Sequence, residues 1–195
     1  EKEKRDKSID YIMECMRIAE VMGAKRIVVH SGSASKISRE EALSLASDTL
    51  LRTLDAAKAE GISDDILICP ETMGKINQLG NLDEVTELCS LSEKLMPCID
   101  FGHLNSRTFG GFNEEKAFEE AINKIENKLG SYRAKNFHCH FSKIEYSEKG
   151  GEVKHLTFED ETYGPDFEPF GNIIIKKNLT PVIICESAGT QDVDS

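Results

Sequence analysis

The sequence predicts an α/β fold built on a parallel sheet, on three observations. Short apolar runs alternate with amphipathic stretches, the runs are rich in β-branched residues, and each run ends on a side chain that can ligate a metal. Ile9, Ile12, Met13, Met16 and Ala19 recur at helical spacing, which predicts a helix over roughly 4–22. RIVVH (26–30) reads as the first strand. Ser38 and Glu41 have capping-box spacing and open a helix over about 38–59. ILICPE (66–71) is the second strand, Asn81 caps a helix ending near Lys94, and MPCID (96–100) is the third strand. A helix following Asn113 runs to about Leu129, and NFHCH (136–140) is the fourth strand. A polar stretch from 143 to 165 reads as a long excursion. A short helix near 167–178 then leads to the fifth strand, PVIICE (181–186).

The 195 residues suit one domain, with no internal repeat and no low-complexity linker. Hydrophobic residues make up 39% and charged residues 30%, as in an ordinary globular protein, and no apolar run approaches membrane-spanning length. The formal net charge of −11 argues against a protein that holds DNA mainly through a basic face. It does not argue against a metallonuclease, because bound cations supply positive charge where a phosphate would sit. Six cysteines at 15, 69, 89, 98, 139 and 185 include no CxxC pair; Cys69, Cys98, Cys139 and Cys185 lie in the apolar runs and read as small core residues, and a reducing cytoplasm is the expected setting. Five parallel strands can form an open doubly wound sheet, whereas a closed eight-stranded barrel needs about 250 residues. The chain opens within a helix and ends soon after a strand, at Asp194-Ser195, so the expectation is most of a (β/α)8 barrel, truncated. Such a piece, with two unpaired edges, is expected to be marginally stable and to associate.

The five strands end on His30, Glu71, Asp100, His138 and Glu186, roughly 30 to 50 residues apart, the length of successive β/α units. In parallel β/α folds those ends converge on one face, so residues distant in sequence meet in space. A lone strand-end His or Asp is usually a capping or core residue; five in five strands is a different matter. His103, expected in the loop after the third strand, and His155, in the excursion near Glu152, extend the set. No histidine is expected on a helix. Mixed imidazole and carboxylate suit zinc or manganese better than magnesium or calcium, and a carboxylate shared by two ions suits phosphodiester cleavage.

At these residues the chain resembles the endonuclease IV family, the family 2 apurinic/apyrimidinic endonucleases of the xylose isomerase-like TIM barrel superfamily. VVHSGS (28–33), CPETMGKINQLG (69–80), CIDFGH (98–103), HCHFSK (138–143) and CESAG (185–189) resemble its fourth to eighth strand motifs in order. The resemblance implies up to three zinc ions, with manganese a possible substitute. His30 and Glu71 would hold the first, and Glu71, Asp100, His138 and Glu186 the second. His103 and His155 would hold the third, with Glu152 the nearest carboxylate. Glu71 or Glu186 would position the attacking water.

The chain departs from the family at three points. A histidine ligand on an earlier strand is missing, Glu152-Val-Lys-His155 stands where the family has Asp-x-His, and His140 stands where it has a side-chain amide. His140 shares a strand face with His138 and is the alternative ligand, His138 being preferred. The implied activity is cleavage of DNA 5′ to abasic sites, with abasic DNA as the partner. The alternative is a single-metal sugar isomerase or epimerase using Glu71, Asp100, His138 and Glu186 on a small sugar. His30, His103 and His155 have no required role in that alternative.

Overall fold

The first helix, α1 (Lys2–Met22), buries the face carrying Ile9, Ile12, Met13, Met16 and Ala19 against the sheet. The computed structural model that provides this view describes residues 2–34 and 36–190; the chain end at Asp194-Ser195 lies outside them. After β1 (Arg26–Val29), α2 (Arg39–Glu60) starts at Ser38, whose side chain accepts from the Glu41 amide. It stops at Gly61, where a φ of 78° favours glycine. Next come β2 (Leu67–Pro70) and α3 (Leu82–Ser90), which is opened by a reciprocal Asn81–Glu84 capping box. The helix ends at Ser90, short of the expected Lys94, because the Arg133 guanidinium takes the Cys89 and Ser92 carbonyls at 2.7 and 3.2 Å.

The strand β3 (Cys98–Asp100) runs directly into a short helix, α4 (Phe101–Arg107). α5 (Glu115–Leu129) and α6 (Ser131–Asn136) precede β4 (His138–Phe141). The polar excursion opens with an antiparallel hairpin, β5 (Lys143–Ser147) and β6 (Gly151–Leu156), and α7 (Phe167–Lys177) leads to β7 (Val182–Cys185). β1 pairs with β2, and β3, β4 and β7 pair in that order, all parallel. Bridges Ile68–Leu95 and Glu71–Cys98 join the two groups into one arc. The fold is thus the α/β arrangement of a TIM barrel, with sheets that do not close.

Alternation along each strand separates two environments. Ile68, Ile99, Cys139 and Phe141 face the helices and enter the main core, where Phe101 lies 4.5 Å from Phe170 and 4.9 Å from Phe118 between ring centroids. Cys69, Cys98 and Met96 face the barrel interior with Val28 and Leu67. Strands β1 and β7 have no second strand partner among the described residues, and Val182 and Ile184 are 42% and 46% exposed. An exposed apolar strand edge is a template for pairing. Sedimentation of the isolated chain at increasing concentration is therefore expected to reveal species heavier than a monomer, suppressed by a lysine at Ile184.

Candidate metal centre

Side chains of matching parity bring the strand-end residues together at the C-terminal face of the sheet. Glu71, just past β2, is 2% exposed and accepts hydrogen bonds on both oxygens. His140 Nδ1 donates to Oε1 at 2.7 Å, and His30 Nε2, just past β1, lies 2.9 Å from Oε2. His140 Nδ1 is also 3.1 Å from Oε1 of Glu186, just past β7. Ligand atoms of Glu71, Asp100, His140 and Glu186 all lie within 4.8 Å of one another.

The imidazole that this group gathers is His140, whereas His138, preferred in the sequence reading, lies outside it. The strand continues to Phe141, so the position at its open end is His140. Both rings point inward, 5.1 Å apart, but His138 lies one inward position deeper in the barrel. Burial, and then the nearby His140, push the His138 pKa down to about 4.

A second cluster forms from His103, Glu152 and His155, again within 4.8 Å. His103 lies in the first turn of α4, not in a loop, contrary to the expectation that no histidine is helical. Asp100 caps this helix, its Oδ1 accepting from the His103 amide at 2.7 Å, and so turns the imidazole back toward the strand ends. His103 Nδ1 lies 2.8 Å from the Thr72 carbonyl, which can only accept. Nδ1 therefore carries the proton, and the free lone pair sits on Nε2, 3.5 Å from Glu152 Oε2. His155 is oriented by Ser142, with Nδ1 2.9 Å from its hydroxyl.

The extra residue in Glu152-Val-Lys-His155 is absorbed by a bulge. Glu152 pairs with Tyr146 and Lys154 with Glu145, so Val153 has no opposite number. Residues three apart, which would ordinarily face opposite sides, are thereby brought to one cluster. The hairpin is fastened to the loop after β2 at Gly151, where φ is 76° and a Cβ would meet the Gly74 oxygen at 2.2 Å. Gly151→Ala is expected to cost about 1–2 kcal/mol through the left-handed backbone alone. Because it also displaces Glu152, it should weaken metal retention in an equilibrium dialysis measurement.

That β2 loop is held firmly. Arg107 donates to the Met73, Lys75, Ile76 and Gln78 carbonyls, and Arg39 donates to those of Ile76 and Gln78. Glu84 accepts from Arg39 and from the Gly80 and Asn81 amides. Burial works to raise its pKa, but these contacts lower it below the ordinary carboxylate value. Its stabilisation is therefore complete above that ordinary value and is lost as pH falls through the lowered one. Glu84→Gln is expected to cost about 1–3 kcal/mol, measurable by urea denaturation at neutral pH, with a smaller difference in acid.

Both clusters reach one cavity of about 240 Å³, which His30, His103, His155, Glu71, Glu152 and Glu186 line together with a single cationic side chain, Lys75, whereas Asp100 and His140 are not part of its lining. Burial raises the pKa of Glu71, yet hydrogen bonds from His140 and His30 outweigh it and hold the carboxyl at about 2. Burial, and then Asp100 and Glu71, raise that of Glu186. Asp100 Oδ2 is buried without a hydrogen bond, its contact with His103 Nδ1 at 3.3 Å being an ion pair only, and His103 Nε2 faces a carboxylate and a second imidazole. A buried carboxylate oxygen without a hydrogen bond and a set mixing nitrogen and oxygen donors fit divalent cations such as zinc or manganese. A larger cavity, of about 530 Å³, lies between α1, α2 and the loop after β1; it shares His30 but holds no carboxylate.

The model of the xylose isomerase-like TIM barrel family matches residues 1–194. The chain belongs to that family. It is 34% identical over 187 residues to an uncharacterized protein of Methanocaldococcus jannaschii, covering 92% of this chain and 67% of that protein. It is 30% identical over 145 residues to a protein of Mycoplasma pneumoniae named Probable endonuclease 4, covering 72% of this chain and 47% of that one. The chain thus spans about two thirds of the archaeal relative and about half of the mycoplasma one. Among solved structures, a D-tagatose 3-epimerase-like protein superposes with a TM-score of 0.69 at 21% identity, over 94% of this chain and 63% of that one. The 3-keto-D-glucoside 4-epimerase of E. coli gives 0.66 at 17%, over 98% and 68%. A family 2 AP endonuclease of Brucella melitensis gives 0.61 at 12%, over 95% and 62%. These three likenesses establish the fold alone. No helix among the described residues is long and apolar enough to cross a membrane.

Proposed function

We propose that this xylose isomerase-like barrel is a metal-dependent phosphodiester hydrolase acting on abasic sites in DNA. The reading is carried by one observation: the His103–Glu152–His155 cluster lines a single cavity with Glu71 and Glu186 of the Glu71–Asp100–His140–Glu186 cluster. A one-metal reaction has no use for the former. Divalent ions held by these residues would neutralise a phosphate and act as Lewis acids toward it. Glu71, fixed on both oxygens, orients His30 and His140, whereas Glu186 has only the one close partner among the described residues and is placed to accept a proton from water. Lys75 supplies the cavity's one ammonium to an anionic substrate. The volume of 240 Å³ is below the roughly 300–1,000 Å³ of drug-sized pockets. It suits a sugar phosphate without its base, and an abasic nucleotide leaves the stack at low cost. The relationship to the mycoplasma Probable endonuclease 4 supports the same reading.

A second reading is a sugar epimerase or isomerase. The four-residue cluster is by itself a complete single-metal site, and two of the barrels that superpose are named epimerases or epimerase-like. The deciding experiment offers the zinc- or manganese-loaded protein a duplex with one abasic site and, separately, a series of ketoses. Metal-dependent incision on the 5′ side is expected. Ketose epimerisation with one metal per chain and no incision would favour the second reading.

A further inference from the structure

Beneath the carboxylate cluster, the barrel interior carries two donors that neither reading employs, Cys98 and His138, next to His140, which the carboxylate cluster shares. Cys98 and His138 are register partners on β3 and β4, and His140 follows His138 on the same inward face. Each of the three offers a ligand atom, and these atoms lie within 4.8 Å of one another. All three are deeply buried: Cys98 is 0% exposed, His138 6% and His140 7%. Cys98 packs with Cys69 and Met96, and His140 reaches the Glu71 carboxylate with its Nδ1 at 2.7 Å.

His138 is the anomaly that points to a ligand. Its Nδ1 is buried with no hydrogen-bond partner, an arrangement that ordinarily costs about 1–3 kcal/mol. A neutral imidazole without a partner, a buried thiol and a second imidazole lack only an ion to satisfy them together.

We propose that Cys98, His138 and His140 form a second, thiolate-containing metal site in the barrel interior, suited to a thiophilic ion such as zinc. One thiolate and two imidazoles without a carboxylate select softer ions than the cluster above. His140 is prepared for the role. Its Nδ1–H is committed to Glu71 at 2.7 Å, so the lone pair resides on Nε2. A carboxylate behind a ligating histidine fixes its tautomer and raises its basicity. Binding breaks the Cys98 S–H bond as the sulfur–metal bond forms, and the proton leaves to solvent, one per ion bound. The site shares His140 with the carboxylate cluster, through the other ring nitrogen, whereas Cys98 and His138 belong to it alone.

Cobalt(II) is the probe, because only a sulfur ligand gives a thiolate-to-cobalt charge-transfer band and the upper clusters contain none. Chelator-stripped protein titrated with cobalt(II) is expected to develop this band, saturating at one ion per chain. Cys98→Ser, close in size, and His138→Gln should each abolish it, while Cys69→Ala keeps it. Glu71→Gln should keep the band but weaken cobalt affinity about 10- to 100-fold, as loss of a supporting carboxylate does. Circular dichroism of each variant separates loss of the site from loss of the fold. Absence of the band at saturating cobalt, or its survival in a folded Cys98→Ser variant, would overturn the proposal.

Discussion

Glu71→Gln is expected to give the largest loss of activity, on the order of 10²–10⁴-fold, because a bound Lewis acid is worth several kcal/mol and each ~1.4 kcal/mol is a factor of ten. The carboxylate lies at the centre of the site, 2.7 Å from His140, 2.9 Å from His30 and 3.8 Å from His103. An amide presents one oxygen instead of two, carries no charge, and opposes an N–H group to a ring that already donates. Metal content by mass spectrometry should fall together with incision. In the metal-free protein, the pKa of His30, raised first by its hydrogen bond to Glu71, should move back toward its ordinary value, which an NMR titration follows. Incision and metal content both at wild-type levels would remove Glu71 from the site.

His103→Ala with His155→Ala is the second large expected effect and the more discriminating one. The pair is expected to remove about one bound metal and to reduce abasic-site incision by roughly 10²-fold or more, the loss of one Lewis acid. The Glu71–Asp100–His140–Glu186 cluster should remain, since neither histidine supplies its ligand atoms. The fold should largely survive, although His103 Nδ1 makes a buried contact with the Thr72 carbonyl, whose loss costs about 1 kcal/mol. Under the epimerase reading both residues are bystanders, and turnover of a ketose would be unchanged.

Much of this site is legible in the sequence, for local reasons. Ser38, Asn81 and Gly61 punctuate helices through hydrogen bonds and backbone preferences that act within a few residues. The strand-end carboxylates follow from where short apolar runs stop. His140 is different, because positions two apart on a strand share a face, and only the strand's length decides which ring meets Glu71 and Glu186. The sequence places His103 in a loop because a helix of seven residues has too few turns for a hydrophobic period, yet a signal is present in Asp100, an N-cap three residues earlier. The hairpin was also recoverable, from Gly150-Gly151 between two polar–apolar alternating runs. The bulge at Val153 was not, since it exists only in the pairing of two strands. The resemblance to a three-metal family could name Glu152 and His155, but only their three-dimensional pairing explains how residues three apart meet.

The central claim is that two ligand clusters share one cavity, and anomalous diffraction from crystals soaked in zinc or manganese tests it most directly. The account predicts separate anomalous peaks between Glu71, Asp100, His140 and Glu186, and between His103, Glu152 and His155. A single peak at the first cluster, with the second empty at saturating metal, would contradict it.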